Sequence, residues 1–262
     1  THLVHAAAVV YAGGSWPRVR AVNVEGTRSV LEAAAEAGVS RAVHLSSVAV
    51  YGTVRGAVDE EAPIDTPIPA GDLYARSKRE AEAAARELEE ATDLSVAVLR
   101  PSAVYGERDR LMSPTLADMI RRRITFLLGK GDNHLPVVYA GNVAEAVLLA
   151  LESERAGATW DVGLDHPVTQ RRLLEGIAEG MERSPALVPL PAPLVQLGAN
   201  VLERFGVSAP GAEHLPLGRV ARLALGENPY PSRTIRLELG WMPPVPPAEA
   251  LHRTGRWLRD HR

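Results

Sequence analysis

The first 165 residues alternate between short, solidly apolar runs and stretches with helical spacing, and few folds accept that order. Leu3–Val10 reads as a strand, Val19–Ala37 as a helix closed by Gly38, and Arg41–Ser47 as a second strand. A loop rich in Pro, Gly and Asp, Gly52–Asp72, leads to a helix over Tyr74–Ala91 and a strand over Leu94–Arg100 that stops at Pro101. Strand–helix–strand repetition implies right-handed crossovers and a parallel sheet. Parallel strands are covered on both faces, so they appear as continuous apolar runs and not as alternations.

Beyond Pro101 the pattern changes. Residues 102–136 read as a loop-and-helix insertion carrying a basic cluster at Arg121–Arg123. Val137–Ala140 reads as a short strand, Asn142–Leu151 as a helix and Thr159–Val162 as a strand. The remainder is helical and punctuated by proline, with helices expected over Thr169–Met181, Leu194–Phe205, Ala212–Leu225, Ser232–Leu239 and Pro247–Asp260. The expected division is 1–101 as an α/β domain, 102–136 as an insertion, 137–165 as a return to the first domain, and 166–262 as a C-terminal lobe.

Composition removes several classes of function. Basic and acidic residues number 29 and 32 and are interspersed, which leaves no electrostatic footprint for nucleic acid. The terminal arginines, Arg253, Arg256, Arg259 and Arg262, alternate with Glu249 and Asp260 and read as a solvated helix face. With no cysteine, the chain has neither disulfides nor thiolate or zinc–sulfur chemistry, and a cytoplasmic location is expected. No run approaches the roughly 18 apolar residues of a membrane span. Leu187–Phe205 comes nearest, and its prolines and polar residues make it a core-facing helix after a proline-rich approach, with a membrane-surface helix as the alternative.

Two features carry chemistry. In Tyr74-Ala-Arg-Ser-Lys78 a phenol and an ammonium stand four residues apart at a helix start, hence on one face. A tyrosine ordinarily titrates near ~10, and a cation beside it favours the phenolate and brings proton exchange toward neutral pH. Alone, the spacing fits a surface pair as well. Ser46-Ser47 ends a buried strand, at the carboxyl edge where open α/β sheets bind ligands. A hydroxyl there can orient a carbonyl or alcohol, or simply satisfy strand-end backbone groups. Leu99-Arg100-Pro101 marks the next strand end. His2 and His5 face opposite sides of a strand, His44 reads as a core histidine, and Trp16 and Arg18 either border a ligand or pack.

These motifs fall in an order that resembles one superfamily. VHAAA (Val4–Ala8), NVEGT (Asn23–Thr27), SSVAVYG (Ser46–Gly52), YARSK (Tyr74–Lys78), LRPSAVYG (Leu99–Gly106), VVYAGNVAEAV (Val137–Val147) and ELGWMP (Glu238–Pro243) are similar to those of extended short-chain dehydrogenase/reductases. That group includes the NAD-dependent epimerases and dehydratases. NVEGTRSVLEAA, YGERDRLMSPTLADMI and Tyr139–Ala144 resemble the 3β-hydroxysteroid dehydrogenase-like branch. The resemblance implies a Rossmann-like doubly wound parallel sheet with a smaller, mostly helical substrate lobe. It implies that residues 1–101 are a partial dinucleotide-binding domain and that the insertion and lobe lie on the substrate side.

It also implies roles. Tyr74 becomes the general acid/base, Lys78 its tuning cation and a ligand of the nicotinamide ribose, and Ser47 (in preference to Ser46) the donor to the reacting oxygen. Ala6, Ala7, Ala8, Asn23, Pro101 and Ser102 border an NAD or NADP cofactor. The implied reaction is hydride transfer at a secondary alcohol or ketone of a small-molecule substrate. A nucleotide-sugar epimerase or dehydratase is the alternative, and an inactive or interaction-only protein a further one. The resemblance implies a homodimer through the Tyr74–Ala91 and Val19–Ala37 helices.

One departure is large. No G-x-G-x-x-G or G-x-x-G-x-x-G turn occurs to receive the pyrophosphate. At roughly 30 residues per βαβ unit, about 60–70 residues carrying the first strands are expected upstream of Thr1. The Leu3–Val10 strand is then expected to present a bare apolar edge, and the chain alone to bind NAD(P) weakly or not at all, which calorimetry would test.

Overall fold

The computed structural model describes residues 2–10, 15–52, 54, 56–69, 71–204, 221 and 224–261. Within these the chain forms two compact units, residues 1–102 with 143–163 and 229–242, and residues 103–142 with 164–228 and 243–262.

The first unit is built on four parallel strands in the order β1-β2-β3-β7. β1 is His2–His5, β2 Arg41–Leu45, β3 Ser95–Pro101 and β7 Thr159–Val162. As expected of interior parallel strands, β3 is buried from Val96 to Pro101. A near-continuous helix runs from Trp16 to Glu36, composed of α1 (Trp16–Arg20), one π-helical stretch (Ala21–Glu25) and α2 (Gly26–Glu36). Pro17 stands in its first turn, where a missing N–H costs nothing. Its inward face is Val19, Asn23, Thr27, Leu31 and Ala34, while Val22 and Val30 face outward. The π turn therefore rotates the stripe away from the one that simple helical spacing selects.

α3 (Leu73–Ala91) starts on Asp72, whose carboxylate accepts the Ala75 N–H at 3.0 Å. Leu31 and Ala34 of α2, Ala85 and Leu88 of α3, Ala42 of β2 and Val96 of β3 make one apolar cluster, so both helices cover the same face of the sheet. Each fully buried leucine there contributes about 2 kcal/mol of transfer free energy. Arg86 fastens α3 to the sheet by donating to the carbonyls of Val96 and Ala158 at 2.7 and 3.2 Å.

β1 ends at His5, shorter than the expected Leu3–Val10. Its partner β2 ends at Leu45, and the pairing His5↔His44 leaves one rung at most. Further on, the Val9 N–H and C=O are both taken by the Asn23 side chain, at 2.7 and 2.9 Å, so the backbone is no longer available to a ladder. No described strand pairs with the far side of β1, and Val4 is 44% exposed.

The second unit holds two further parallel ribbons. β4 (Ala103–Tyr105) pairs with β6 (Val137–Tyr139), and β5 (Ile124–Leu128) with β8 (Ala186–Leu190). Residues 102–136 are thus not merely loop and helix, and Pro189 sits inside β8. The core joins α4 (Met112–Ile120), α6 (Gln170–Gly180) and α9 (Pro247–His261) through Ala117, Ile120, Leu173, Ile177, Leu251 and Leu258. Gly180 and Gly255 let the α6 and α9 backbones touch, and a Cβ at either would strike the other helix.

Three expectations are corrected. α7 (Ala192–Arg204) is not core-facing: Leu194 and Leu197 are each 60% exposed. Residues 229–242, placed in the C-terminal lobe, belong to the first unit. Tyr230 packs there with Val48, Val50 and Tyr51, and α8 (Arg233–Leu239) carries Glu238 to the Trp160 Nε1 at 2.8 Å. Residues 137–142 lie in the second unit, because β6 pairs with β4 and with no strand of the large sheet. α5 (Ala140–Glu152) spans the expected Asn142–Leu151. The expected Ala212–Leu225 helix lies almost wholly outside the described residues. No helix among the described residues is long and apolar enough to cross a membrane.

Candidate active site

Tyr74, Lys78 and Glu82 occupy successive turns of α3, spaced so that they share one face. Lys78 is only 3% exposed, and its Nζ donates to the Leu45 carbonyl at the end of β2, at 2.7 Å. The same Nζ lies 5.9 Å from the centre of the half-buried Tyr74 ring. Burial pulls the Lys78 ammonium down to about 8, opposed by the negative charge of Glu82. The amine therefore exchanges protons within reach of neutral pH.

Ser46 and Ser47 follow β2. Ser47 is extended and caps the 3₁₀ turn Val48–Tyr51, its Oγ accepting the Ala49 N–H at 3.2 Å. Its hydroxyl hydrogen stays available to a ligand. Ser46 is buried, with its N–H on the Leu99 carbonyl at 2.7 Å and no hydrogen-bond partner for its Oγ among the described residues. Ser102, after β3, is likewise buried with an unpartnered Oγ, and its N–H reaches the Val162 carbonyl at 3.2 Å. Pro101 closes β3. Ala6 and Ala7 are exposed and Ala8 half-buried, just past the end of β1.

Asn23 is buried within the π turn. It holds Val9 through both backbone groups and donates to the Ser77 Oγ at 2.8 Å, and Ser77 donates on to the Tyr74 carbonyl at 2.8 Å. Thr27 donates to the Asn23 carbonyl at 2.7 Å and shares a 2.9 Å hydrogen bond with His5 Nε2. One web thus links the β1 loop, the π turn and the first turn of α3. Ser77, Thr27 and His5 escape sequence reasoning because their partners are 22 to 54 residues away. The serine directly before Lys78 was the visible hint.

His44 is buried, stacks on His5 with ring centres 5.4 Å apart, and finds no hydrogen-bond partner for either ring nitrogen among the described residues. Burial first, and Lys78 second, hold both rings below their ordinary range, so both are neutral at pH 7. Trp16 takes the packing alternative, with the Arg76 guanidinium 3.8 Å above its ring. No group of His, Asp and Glu among the described residues is arranged to hold a metal ion.

The loop before α3 is pinned from below. Arg79 donates to the carbonyls of Val50 and Thr66, at 2.6 and 3.1 Å, and the Thr66 hydroxyl to that of Tyr51. Behind the site lies a second buried chain. Arg100 grips Glu82 with two nitrogens, at 3.0 and 2.7 Å, and donates to the Tyr51 hydroxyl at 2.9 Å. Tyr51 in turn donates to Asp161, 2.8 and 3.0 Å from its two oxygens. Burial, then the Glu60 charge, pushes Asp161 up to about 7.

Four parallel strands, with Lys78 at the carboxyl end of β2, make an open α/β protein of the class whose ligands bind at that edge. The family model for the NAD dependent epimerase/dehydratase family matches residues 1–163, and the chain belongs to that family. Among its relatives is the Arabidopsis thaliana 3beta-hydroxysteroid-dehydrogenase/decarboxylase isoform 2, 30% identical over 253 residues, covering 89% of this chain and 44% of the relative. The Escherichia coli O157:H7 N-acetyl-alpha-D-glucosaminyl-diphospho-ditrans,octacis-undecaprenol 4-epimerase is 33% identical over 180 residues, covering 68% of this chain and 53% of that protein. The chain spans about half the length of these relatives. Among solved structures, the Bacillus cereus UDP-glucuronic acid 4-epimerase in complex with NAD superposes with a TM-score of 0.73 at 17% identity, over 99% of this chain and 74% of that one. That likeness establishes the fold.

Proposed function

We propose that this chain carries the catalytic half of an NAD(P)-dependent oxidoreductase that moves a hydride to or from a secondary alcohol or ketone. The observation that bears most weight is the buried Lys78 ammonium, held at the carboxyl end of β2 and one turn below Tyr74. The residues present fit a nicotinamide ribose: Lys78 supplies a cation, and the Ser46 and Ser102 hydroxyls are buried donors without partners among the described residues, at two adjacent strand ends. Ala6, Ala7, Ala8, Asn23, Pro101 and Ser102 are assigned to that cofactor-bordering surface. The diphosphate turn is not among these residues. When bound, the nicotinamide would accept or donate the hydride.

In the oxidative direction Tyr74 takes the hydroxyl proton as the carbon gives up its hydride, and in reduction it returns that proton to the new alkoxide. Lys78 favours the phenolate and so lowers the cost of the first transfer. Ser47 donates its free hydroxyl hydrogen to the same oxygen. Asn23, Ser77 and Asp72 hold the first turn of α3 in place, which keeps the phenol at a fixed height above the strand ends.

The Arabidopsis relative supports a 3β-hydroxysteroid dehydrogenase-like specificity, and the E. coli 4-epimerase supports a nucleotide-sugar substrate instead. Both share the Tyr74 step. In a protein that carries this chain and binds NAD(P)H, Tyr74→Phe is expected to lower turnover about 10²–10⁴-fold while NAD(P)H binding stays intact. Undiminished hydride transfer, followed by nicotinamide absorbance, would refute the assignment.

A further inference from the structure

Lys78 is an awkward residue to bury. Among the described residues its one hydrogen bond is to a neutral carbonyl, and the groups facing it from β1 and β2 are His5 and His44, both held neutral. From its own helix it faces Tyr74 and Glu82. Glu82 is itself buried, one turn on, and the Arg100 fork fixes both of its oxygens. A carboxylate gripped in this way cannot rotate toward solvent or fold onto a different partner.

Arg100 is held in turn. Its remaining nitrogen rests on the Tyr51 hydroxyl, its guanidinium lies 5.0 Å from the Tyr51 ring centre, and Tyr51 is anchored by Asp161. The result is a hydrogen-bonded row, carboxylate, guanidinium, phenol, carboxyl, that begins one helical turn beyond Lys78. A merely structural ion pair needs no such neighbour. Here the carboxylate stands four residues after Lys78 on the same face of α3, and among the described residues its negative charge opposes the effect of burial on the ammonium.

We infer that Glu82 is a positioning residue for Lys78, its carboxylate locked by Arg100 so that a desolvated ammonium remains charged beside Tyr74. This deepens the proposed function and rests on its assignment of Lys78. Neither Glu82 nor Arg100 touches substrate or cofactor in this scheme. Their effect travels through the charge on Lys78 alone.

The test is a titration of Lys78 on the chain itself, with selectively labelled lysine side chains followed by NMR. In the unsubstituted chain the Lys78 midpoint is expected near 8. Glu82→Gln is expected to lower it by about one unit or more, a tenfold loss of proton affinity. Because that variant strands a buried guanidinium, the pair Glu82→Gln/Arg100→Met is titrated too, and a smaller fall in the same direction is expected there, since a cation leaves together with the carboxylate. Glu89→Gln supplies the control: Glu89 pairs with Arg86 at 2.8 Å on the same helix, so its loss disturbs α3 without changing the field at Lys78. An unmoved midpoint in the folded double variant, or an equal fall in the Glu89 variant, overturns the proposal. The titration uses no cofactor or substrate, so it fails or stands apart from the Tyr74 assignment.

Discussion

The large sheet has two edges, and the chain treats them differently. At one, β1 pairs with β2 alone among the described strands and leaves Val4 in the open. At the other, β7 is equally an edge strand, yet Trp160, Asp161 and Val162 are buried. The difference is made by side chains arriving from far along the sequence. Glu60 accepts the Asp161 N–H at 2.8 Å, where a further strand would otherwise bond, and is held by the Thr234 hydroxyl at 2.7 Å. Glu238 accepts the Trp160 indole N–H, and Tyr230 lies close against Gly163. An edge can thus be closed without a strand, but β1 has been given no such cover among the described residues.

The contrast can be sharpened by titrating its covered side. Asp161 is raised from 3.8 to about 7 in the folded chain. Between about pH 4 and 7 the folded state then holds a proton that the unfolded state has lost, so stability falls as pH rises through that window. Asp161→Asn keeps an acceptor for Tyr51 and removes the titration. It should flatten that fall in urea denaturation and gain up to about 4 kcal/mol above the window. An unchanged slope would mean that Asp161 titrates normally.

Glu60→Ala should expose the covered edge, costing about 1–3 kcal/mol for the stranded Asp161 N–H. It also removes a neighbouring charge, so the Asp161 titration should move downward, which the same denaturation series would detect. The open edge should behave in the opposite way. Val4→Lys is expected to change stability by less than about 0.5 kcal/mol, as surface substitutions do, while suppressing self-association seen by light scattering. If Val4→Lys instead unfolded the chain, β1 would be buried in solution.

What the sequence made legible follows the same division. β2, β3, β7 and α3 were visible because a strand or helix packed on both sides carries its burial in its own residues. β1 was read too long, since Leu3–Val10 is apolar throughout and nothing local tells that Asn23 will seize Val9. β5 and β8 were missed because neither is a strand covered on both faces, β5 alternating between exposed and buried residues and β8 largely open, and because Pro189 argues against a strand. Leu194 and Leu197 suggested a core that the fold does not supply there. In the site, the Tyr74–Lys78 spacing was legible as helix geometry. Glu82, Arg100 and Asp161 were not, because their relation is one of tertiary position: each lies on a different element and only the closed sheet brings them into line.

The π turn at Ala21–Glu25 has a consequence of its own. A single wide turn is an ordinary helix carrying one surplus residue, so here the chain has room to lose exactly that much. Deleting one residue between Ala21 and Glu25, Asn23 apart, would restore a regular helix and leave Val19 and Thr27 seven positions apart on one face. The surplus residue is what keeps Val19, Asn23 and Thr27, spaced by four, in one inward line.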